Sequence, residues 1–292
     1  MIVLLLVTGI TGLTGRFLYK KLKASSLEQN VCYFVRPTSD TSWMEQDEIL
    51  HYGDVNDTET LTAALSGVRQ VIHLVNIRSS PQIIEACKRQ GIWRVIFVNT
   101  TGMYSKYQQY AELYRELEQG IVDSGLDYTI IRPTMIYGNQ QDKNIHKLIL
   151  LMNKWRFFPV PGNGNALMQP IYAGDLADVI LSACLRSKVS SRKAYNVAGQ
   201  HPLTYNQLLH EIQDALGKRV SMFHIPISLA KLAGRIGDVV PNGLVNYERI
   251  QRLVEDKTFD YSKAKQDLDF NPIPFSEGVK HEVQALRYNG LL

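Results

Sequence analysis

Three glycines spaced three apart, Gly9, Gly12 and Gly15, lie in the run Val7-Thr8-Gly9-Ile10-Thr11-Gly12-Leu13-Thr14-Gly15 and are suited to holding a phosphate. Without a Cβ, Gly9 and Gly12 let the backbone turn sharply and approach a pyrophosphate closely. A helix beginning in this run presents unpaired N–H groups and the positive end of its dipole to the same anion. Gly15 lets that helix pack tightly. The backbone of Gly9, Thr11, Gly12, Leu13, Thr14 and Gly15 is therefore the expected phosphate cradle. The Gly-x2-Gly-x2-Gly spacing differs from the usual dinucleotide fingerprint, so context has to decide. An apolar run precedes the glycines, and Arg16-Phe17-Leu18-Tyr19-Lys20-Lys21-Leu22 follows them, which reads as strand, loop, helix.

A second residue selects among dinucleotides. At the end of the second strand a carboxylate bonds the ribose 2′-hydroxyl of NAD, whereas an arginine accommodates the 2′-phosphate of NADP. Here the run Val31 to Val35 ends in Arg36-Pro37-Thr38 with no carboxylate at its tip, although Asp40 is close by. A guanidinium pairs with a phosphate in bidentate fashion, so NADP is expected ahead of NAD.

Other chemistries find little support. The seven histidines are dispersed, with no pair at metal-ligand spacing, so no metal site is expected. No Ser-His-Asp elbow is present. Cys32, Cys87 and Cys184 are far apart in apolar surroundings and read as free thiols of a reducing compartment. The net charge of +4 comes without a basic tract interleaved with aromatics, which argues against a nucleic-acid surface. The apolar start has no basic n-region and runs straight into the glycine turn, unlike a signal peptide. No apolar stretch is long enough for a membrane span, and the cytoplasm is the expected location.

The elements that must position these residues alternate in the first half. Strands are expected at 2–7, 31–35, 71–74, 95–98 and 128–131, and helices at 12–23, 58–65, 81–90 and 107–124. This is the pattern of βαβ units around a parallel sheet. Nearly continuous apolar strands fit burial on both faces. After Arg132-Pro133 the texture changes to Gly/Pro-rich loops around a helix at 147–155, a strand-to-helix element from Pro170, a short strand at 194–199 and a mostly helical tail jointed at Pro226, Pro241, Pro272 and Pro274. The expected fold is α/β, a Rossmann doubly wound parallel sheet with a smaller C-terminal substrate-binding lobe. Residues 1–140 and 170–199 would form the first part, and residues 141–169 and 200–292 the second.

Several segments resemble the extended and atypical short-chain dehydrogenase/reductases, including their epimerase/dehydratase-like and NmrA-like members. They are the Thr-Gly-x-Thr-Gly-x-x-Gly loop, Gly53-Asp54-Val55, Ser124-Gly125-Leu126-Asp127-Tyr128-Thr129-Ile130-Ile131-Arg132-Pro133, Pro170-Ile171-Tyr172-Ala173-Gly174-Asp175-Leu176-Ala177, and Asp269-Phe270-Asn271-Pro272 with Glu277-Gly278. The resemblance covers nearly the whole chain. It implies that Asp54 and Val55 meet the adenine and that Leu74, Val75 and Pro133 line the cofactor. Arg132 and Pro133 would stand beside the nicotinamide, with Met135, Ile136 and Tyr137 lining the pocket. Phe158 to Asn165 with Gln169 resembles the loop that contacts a sugar nucleotide, and a Gly/Pro connection between lobes explains it equally well.

The resemblance also implies a catalytic Tyr-x3-Lys pair and a hydroxyl that holds the substrate oxygen. Thr100 falls at the hydroxyl position and Tyr110 at that of the tyrosine, but Tyr114 stands where the lysine belongs. Tyr19/Lys23 and Tyr261/Lys265 keep the spacing away from the expected nicotinamide and read as coincidences. Without the lysine, Tyr110 would keep a pKa near the free value of ~10. Two functions stay open. One is an NADP-dependent oxidoreductase or nucleotide-sugar epimerase/dehydratase with an incomplete tetrad, acting on a small molecule through Thr100 and Tyr110. The other is a non-catalytic NADP-binding redox sensor or structural subunit. A homodimer is compatible with both.

Overall fold

Seven parallel strands form the centre of the computed structural model, which describes residues 5–239 and 246–292. They are β1 (Leu5–Thr8), β2 (Val31–Val35), β3 (Ile49–Tyr52), β4 (Gln70–His73), β5 (Arg94–Val98), β6 (Asp127–Pro133) and β7 (Lys193–Val197). Their order is β3-β2-β1-β4-β5-β6-β7, with every adjacent pair parallel. The direction of winding reverses between β1 and β4. In such sheets the crevice beyond the carboxyl ends of the strands at this reversal is where ligands bind.

Alternation along each strand divides the core between the two faces. Leu5 and Val7 join Tyr33, Ile72 and Ile131 on one face, covered by α1 (Leu13–Lys23) and α6 (Ala173–Leu185) through Leu18, Leu22, Leu176 and Ile180. Leu6 joins Phe34, Val71 and Phe97 on the other. That face is covered by α2 (Thr58–Ala64), α3 (Ser80–Gln90) and α4 (Ala111–Asp123) through Leu61, Ile83 and Ile121. Three helices, α5 (Ile145–Lys154), Tyr205–Leu216 and Phe275–Tyr288, build a separate core with Phe158 and Val160. The Ser262–Leu268 helix returns to the sheet, burying Ala264 and Leu268 with the first core.

The doubly wound α/β arrangement is the one expected. The structure differs from the sequence reading in details. β3 has no counterpart in that reading: Ile49, Leu50 and His51 are only half-buried at the sheet edge, so the apolar signal is weak. Ile2, Val3 and Leu4 of the first expected strand, and Pro241, lie outside the described residues. The fourth expected helix begins at Ala111, not at residue 107. Ser105 holds the approach irregular by accepting from the Tyr107 N–H at 3.2 Å, a hydroxyl turn that competes with helix.

Candidate functional site

The glycine turn adopts the shape its residues allow. Gly9 has φ +77°, and a Cβ there would stand 3.1 Å from the Val75 nitrogen and 3.2 Å from the Leu74 carbonyl carbon. The Gly12 N–H donates to the Gly9 carbonyl at 3.1 Å, and Gly12 then caps α1 with no side chain bonding into the helix start. No acidic residue occupies that first turn. The leading N–H groups of α1, those of Leu13 and Thr14 among them, have no intrahelical partner. A Cβ on Gly15 would collide with the carbonyls of Gly9 and Ile10, so only glycine lets helix and turn approach this closely. A bare helix start, an intolerant glycine and no competing anion fit a pyrophosphate.

Behind this turn His73, at the end of β4, is fully buried between two hydroxyls, with Nδ1 2.8 Å from Thr8 Oγ1 and Nε2 3.0 Å from Ser79 Oγ. Burial pulls its pKa down to about 4, so the ring is neutral and ties the ends of β1 and β4 together. No motif marked it in the sequence.

The remaining expected cofactor residues follow the carboxyl ends of neighbouring strands. Arg36 is exposed just beyond β2, and Asp54 is exposed just beyond β3. One Asp54 oxygen accepts from the Asn56 N–H at 2.8 Å. Half-buried Leu74 and Val75 follow β4, with the Leu74 N–H donating to the Thr8 carbonyl at 3.1 Å. Pro133 ends β6, and its carbonyl accepts from the Thr101 hydroxyl at 3.1 Å. Arg16, unmarked in the sequence, lies 3.8 Å from Asp40 and stacks on Trp43 at 4.7 Å beside the β2 tip.

A cavity of about 260 Å³ opens next to Thr100 at the carboxyl ends of β5 and β6. Thr100, Gly102, Tyr104 and Ser105 form one wall, Thr134, Met135, Met168 and Gln169 a second, and Arg252, Glu255, Asp256, Lys257 and Phe259 a third. The Thr100 hydroxyl accepts from the Gly102 N–H at 3.0 Å, which fixes the oxygen and leaves its proton to donate. Tyr104 stacks on Phe259 at 5.8 Å, with the Arg132 guanidinium 5.9 Å from its ring centre. Arg132 is held by buried Glu118 at 2.9 and 3.0 Å, and Glu118 also accepts from the Asn99 amide at 2.5 Å.

The third wall is a strap fastened at three points. Glu255 accepts from the Ser105 hydroxyl at 2.6 Å and from the Lys106 N–H at 2.9 Å. Asp256 accepts from the Leu167 N–H at 2.8 Å, and the Lys257 N–H donates back to the Leu167 carbonyl at 2.8 Å. The Phe259 N–H donates to Gln169 at 2.9 Å. Burial, aided by Arg252, pulls the Lys257 ammonium down to about 8 against the opposing pull of Glu255 and Asp256. Sequence reasoning missed this wall. No local motif announces a segment whose importance comes from folding back over residues 100–106.

Of the expected catalytic pair, one residue lines the cavity. Thr100 lines the cavity, whereas Tyr110 precedes α4 outside the lining, with its ring under the Arg78 guanidinium at 4.0 Å. Tyr114 is buried in the core, its ring 6.4 Å from that of Tyr110. The phenol that lines the cavity with Thr100 is Tyr104. Of the expected pocket residues Met135 reaches the cavity, but Ile136 packs on the sheet-side core and Tyr137 is buried in the lobe core against Phe275. Phe158 likewise belongs to that core, and Gln169 is the part of the loop region that lines the cavity. The two other Tyr-x3-Lys pairs are engaged elsewhere. Tyr19 donates to Glu48 at 2.7 Å beside Lys23, which bonds Glu28, Glu45 and Glu48, and Tyr261 donates to the Gln200 carbonyl at 3.1 Å. Cys32, Cys87 and Cys184 are buried free thiols.

Comparison with known proteins agrees with this fold. The family described as NAD(P)H-binding matches residues 9–184. An N-acetyl-alpha-D-glucosaminyl-diphospho-ditrans,octacis-undecaprenol 4-epimerase of Escherichia coli O157:H7 is 24% identical over 81% of this chain and 83% of its own. Quinone oxidoreductase 2 of Escherichia coli K12 is 25% identical over 94% of this chain and 97% of its own. A nucleoside-diphosphate-sugar epimerase from Pseudomonas aeruginosa superposes with a TM-score of 0.79 at 18% identity, over 99% of each chain.

Proposed function

The chain belongs to the NAD(P)H-binding family, in the extended and atypical short-chain dehydrogenase/reductase superfamily, and on that premise we propose that it is an NADP-dependent enzyme acting on an anionic small molecule. A sugar linked to a diphosphate is the substrate class that fits best. The observation that carries this reading is the cavity beside Thr100, whose third wall brings Arg252 and Lys257 together. Arg252 and Lys257 suit a diphosphate, because the carboxylates of the same wall, Glu255 and Asp256, are turned to Ser105, Lys106 and Leu167, and the likeness to sugar epimerases points the same way.

Gly9, Thr11, Gly12, Leu13, Thr14 and Gly15 would hold the pyrophosphate, Arg36 the 2′-phosphate, Asp54 and Val55 the adenine, and Leu74, Val75 and Pro133 the remaining length. The dinucleotide, when bound, supplies hydride transfer. Thr100 donates its hydroxyl proton to the reacting substrate oxygen. Tyr104 is the phenol placed to exchange a proton there, in the role that the sequence assigns to Tyr110. Arg252 and Lys257 hold the anionic end and orient the substrate. The Glu255 and Asp256 fastenings keep the wall closed against water.

The test is turnover of UDP-glucose, and NADPH oxidation with p-benzoquinone, by the wild type, Tyr104→Phe and Tyr110→Phe. Loss of turnover in Tyr104→Phe alone supports the cavity assignment. Loss in Tyr110→Phe alone returns the role to the helix-start tyrosine. The second reading, a non-catalytic NADP-binding subunit or sensor, is favoured by one observation: the lysine position is filled by buried Tyr114. NADPH binding with no turnover of any substrate would support it.

A further inference from the structure

Arg16 belongs to α1, one turn beyond the Gly12 cap, and its guanidinium reaches the loop that follows β2. There the fork is firmly placed and yet idle. It lies over the Trp43 indole at 4.7 Å, and its Nε is buried with no hydrogen-bond partner among the described residues. Asp40, its ion-pair partner, stands 3.8 Å from Nη2, outside hydrogen-bond reach. A guanidinium carries five donors, and this one makes no hydrogen bond among the described residues. An arginine kept only to tether the loop would bond Asp40 directly.

The surroundings hold this arrangement in place. The Trp43 indole N–H donates to the Asp40 carbonyl at 2.9 Å, and its ring meets the Tyr19 ring edge-on at 5.2 Å. It also packs against the buried core of the sheet. Behind it the Tyr19 hydroxyl donates to Glu48 at 2.7 Å and accepts from the Glu45 N–H at 3.0 Å. Asp40 is committed to its own loop, accepting from the Ser42 hydroxyl at 2.6 Å and the Ser42 N–H at 3.0 Å. Those bonds, with Arg16 nearby, hold its carboxyl below the usual carboxylate range, so it stays charged. Arg36 opens the same loop, exposed and in no ion pair among the described residues. The Ser39 N–H donates to the Arg36 carbonyl at 2.9 Å, so Arg36 and Asp40 flank one tight turn.

The tip of the second strand is where a Rossmann site meets the adenosine ribose. A 2′-phosphate there offers three oxygens, which a planar fork takes in bidentate fashion. On the NADP-dependent reading above, we propose that Arg16 is a specificity-determining residue, which takes the 2′-phosphate together with Arg36 and exchanges Asp40 for it. Trp43 is the platform that keeps the fork presented. Asp40 competes with the phosphate for Arg16 and repels it, so this carboxylate sets how strongly NADP is preferred over NAD.

Adenosine 2′,5′-bisphosphate and 5′-AMP differ only in the 2′-phosphate, and calorimetric titration of the full chain with each reads this end of the site without turnover. Wild type prefers the bisphosphate. Arg16→Met keeps an apolar stem on Trp43 and removes the fork. It weakens bisphosphate binding about tenfold or more and leaves 5′-AMP unchanged. Arg16→Lys, which keeps the charge without the fork, falls between the two. Asp40→Asn tightens bisphosphate binding about two- to fivefold. An Arg16→Met variant that keeps the full preference would overturn the assignment. So would one that loses both nucleotides equally, because Arg16 would then be a structural prop of loop 36–43. Weaker 5′-AMP binding in Asp40→Asn would give Asp40 the ribose hydroxyls, and it too overturns the exchange. A wild type with no preference for the bisphosphate defeats the NADP reading itself, whereas a preference that survives Arg16→Met defeats only the role of Arg16.

Discussion

The Ser105 hydroxyl donates to the Glu255 carboxylate at 2.6 Å across 150 residues of sequence, and this bond closes the candidate cavity. It joins the segment after β5 to the strap of residues 252–259. The same carboxylate takes the Lys106 N–H, so one side chain fastens the wall that carries Arg252 and Lys257.

Removing that fastening is expected to affect substrate and cofactor differently. Glu255→Ala loses two hydrogen bonds to a charged acceptor, on the order of 1.5–3 kcal/mol each where fully formed and less where water competes. KM for an anionic substrate should rise about tenfold, while NADPH affinity stays within experimental error. Parallel titration and steady-state kinetics check this. Equal loss of both affinities would mean that Glu255 supports the whole fold rather than the cavity.

On the proposed reading, Lys257 makes substrate binding depend on pH. Its ammonium is pulled down to about 8 by burial and by Arg252, so the wall loses a charge as pH rises through that value. KM for an anionic substrate should therefore be flat below pH 7 and climb above pH 8, by up to about tenfold per pH unit. Lys257→Met should have a high KM throughout and no such climb. A wild-type KM that stays flat to pH 9.5 would remove Lys257 from substrate binding.

Glu282 sets a stability gradient. It is fully buried on the Phe275–Tyr288 helix, and burial together with the Asp142 carboxylate pushes its pKa up to about 10. At neutral pH the folded protein thus holds a proton that the unfolded chain releases above about 4.3. A raised folded pKa means stability that is present at low pH and lost as pH rises toward 10, with a slope of at most about 1.4 kcal/mol per pH unit. Glu282→Gln keeps the shape without the ionisation, so it should flatten this slope and raise Tm at pH 8.5. Thermal melts from pH 5.5 to pH 8.5 measure it, and identical slopes in both proteins would contradict the buried-proton assignment.

On the proposed reading, Arg36 selects the cofactor. Its exposed guanidinium just beyond β2 is expected to favour NADPH over NADH. Arg36→Ala should weaken NADPH binding about tenfold or more and leave NADH binding nearly unchanged. Fluorescence titration of both nucleotides reads the ratio. A wild type with no preference for NADPH would refute the assignment.

The fold was legible because its signals are local. Apolar runs such as Val31–Val35 reproduce buried strands, and Gly91 at φ +68° ends α3 directly after the helix expected at 81–90. The phosphate turn was legible for the same reason, since Gly9, Gly12 and Gly15 meet their constraints within ten residues. The cavity was only partly legible. Thr100 stood in a recognisable frame, but Arg252, Glu255 and Lys257 acquire their meaning through contacts spanning the two lobes. Tyr110 was assigned by its spacing from Tyr114 in the resemblance; in the structure it precedes α4, while Tyr104 lines the cavity with Thr100.

Turnover of Thr100→Val, compared with wild type at saturating NADPH, bears most directly on whether the cavity beside Thr100 is a reaction centre. The substitution keeps the shape and removes the one hydroxyl fixed by the Gly102 N–H. A fall of about a hundredfold or more in kcat with NADPH affinity unchanged is the expected result. Undiminished kcat in Thr100→Val, or a wild type that binds NADPH and turns over neither UDP-glucose nor p-benzoquinone, would contradict it.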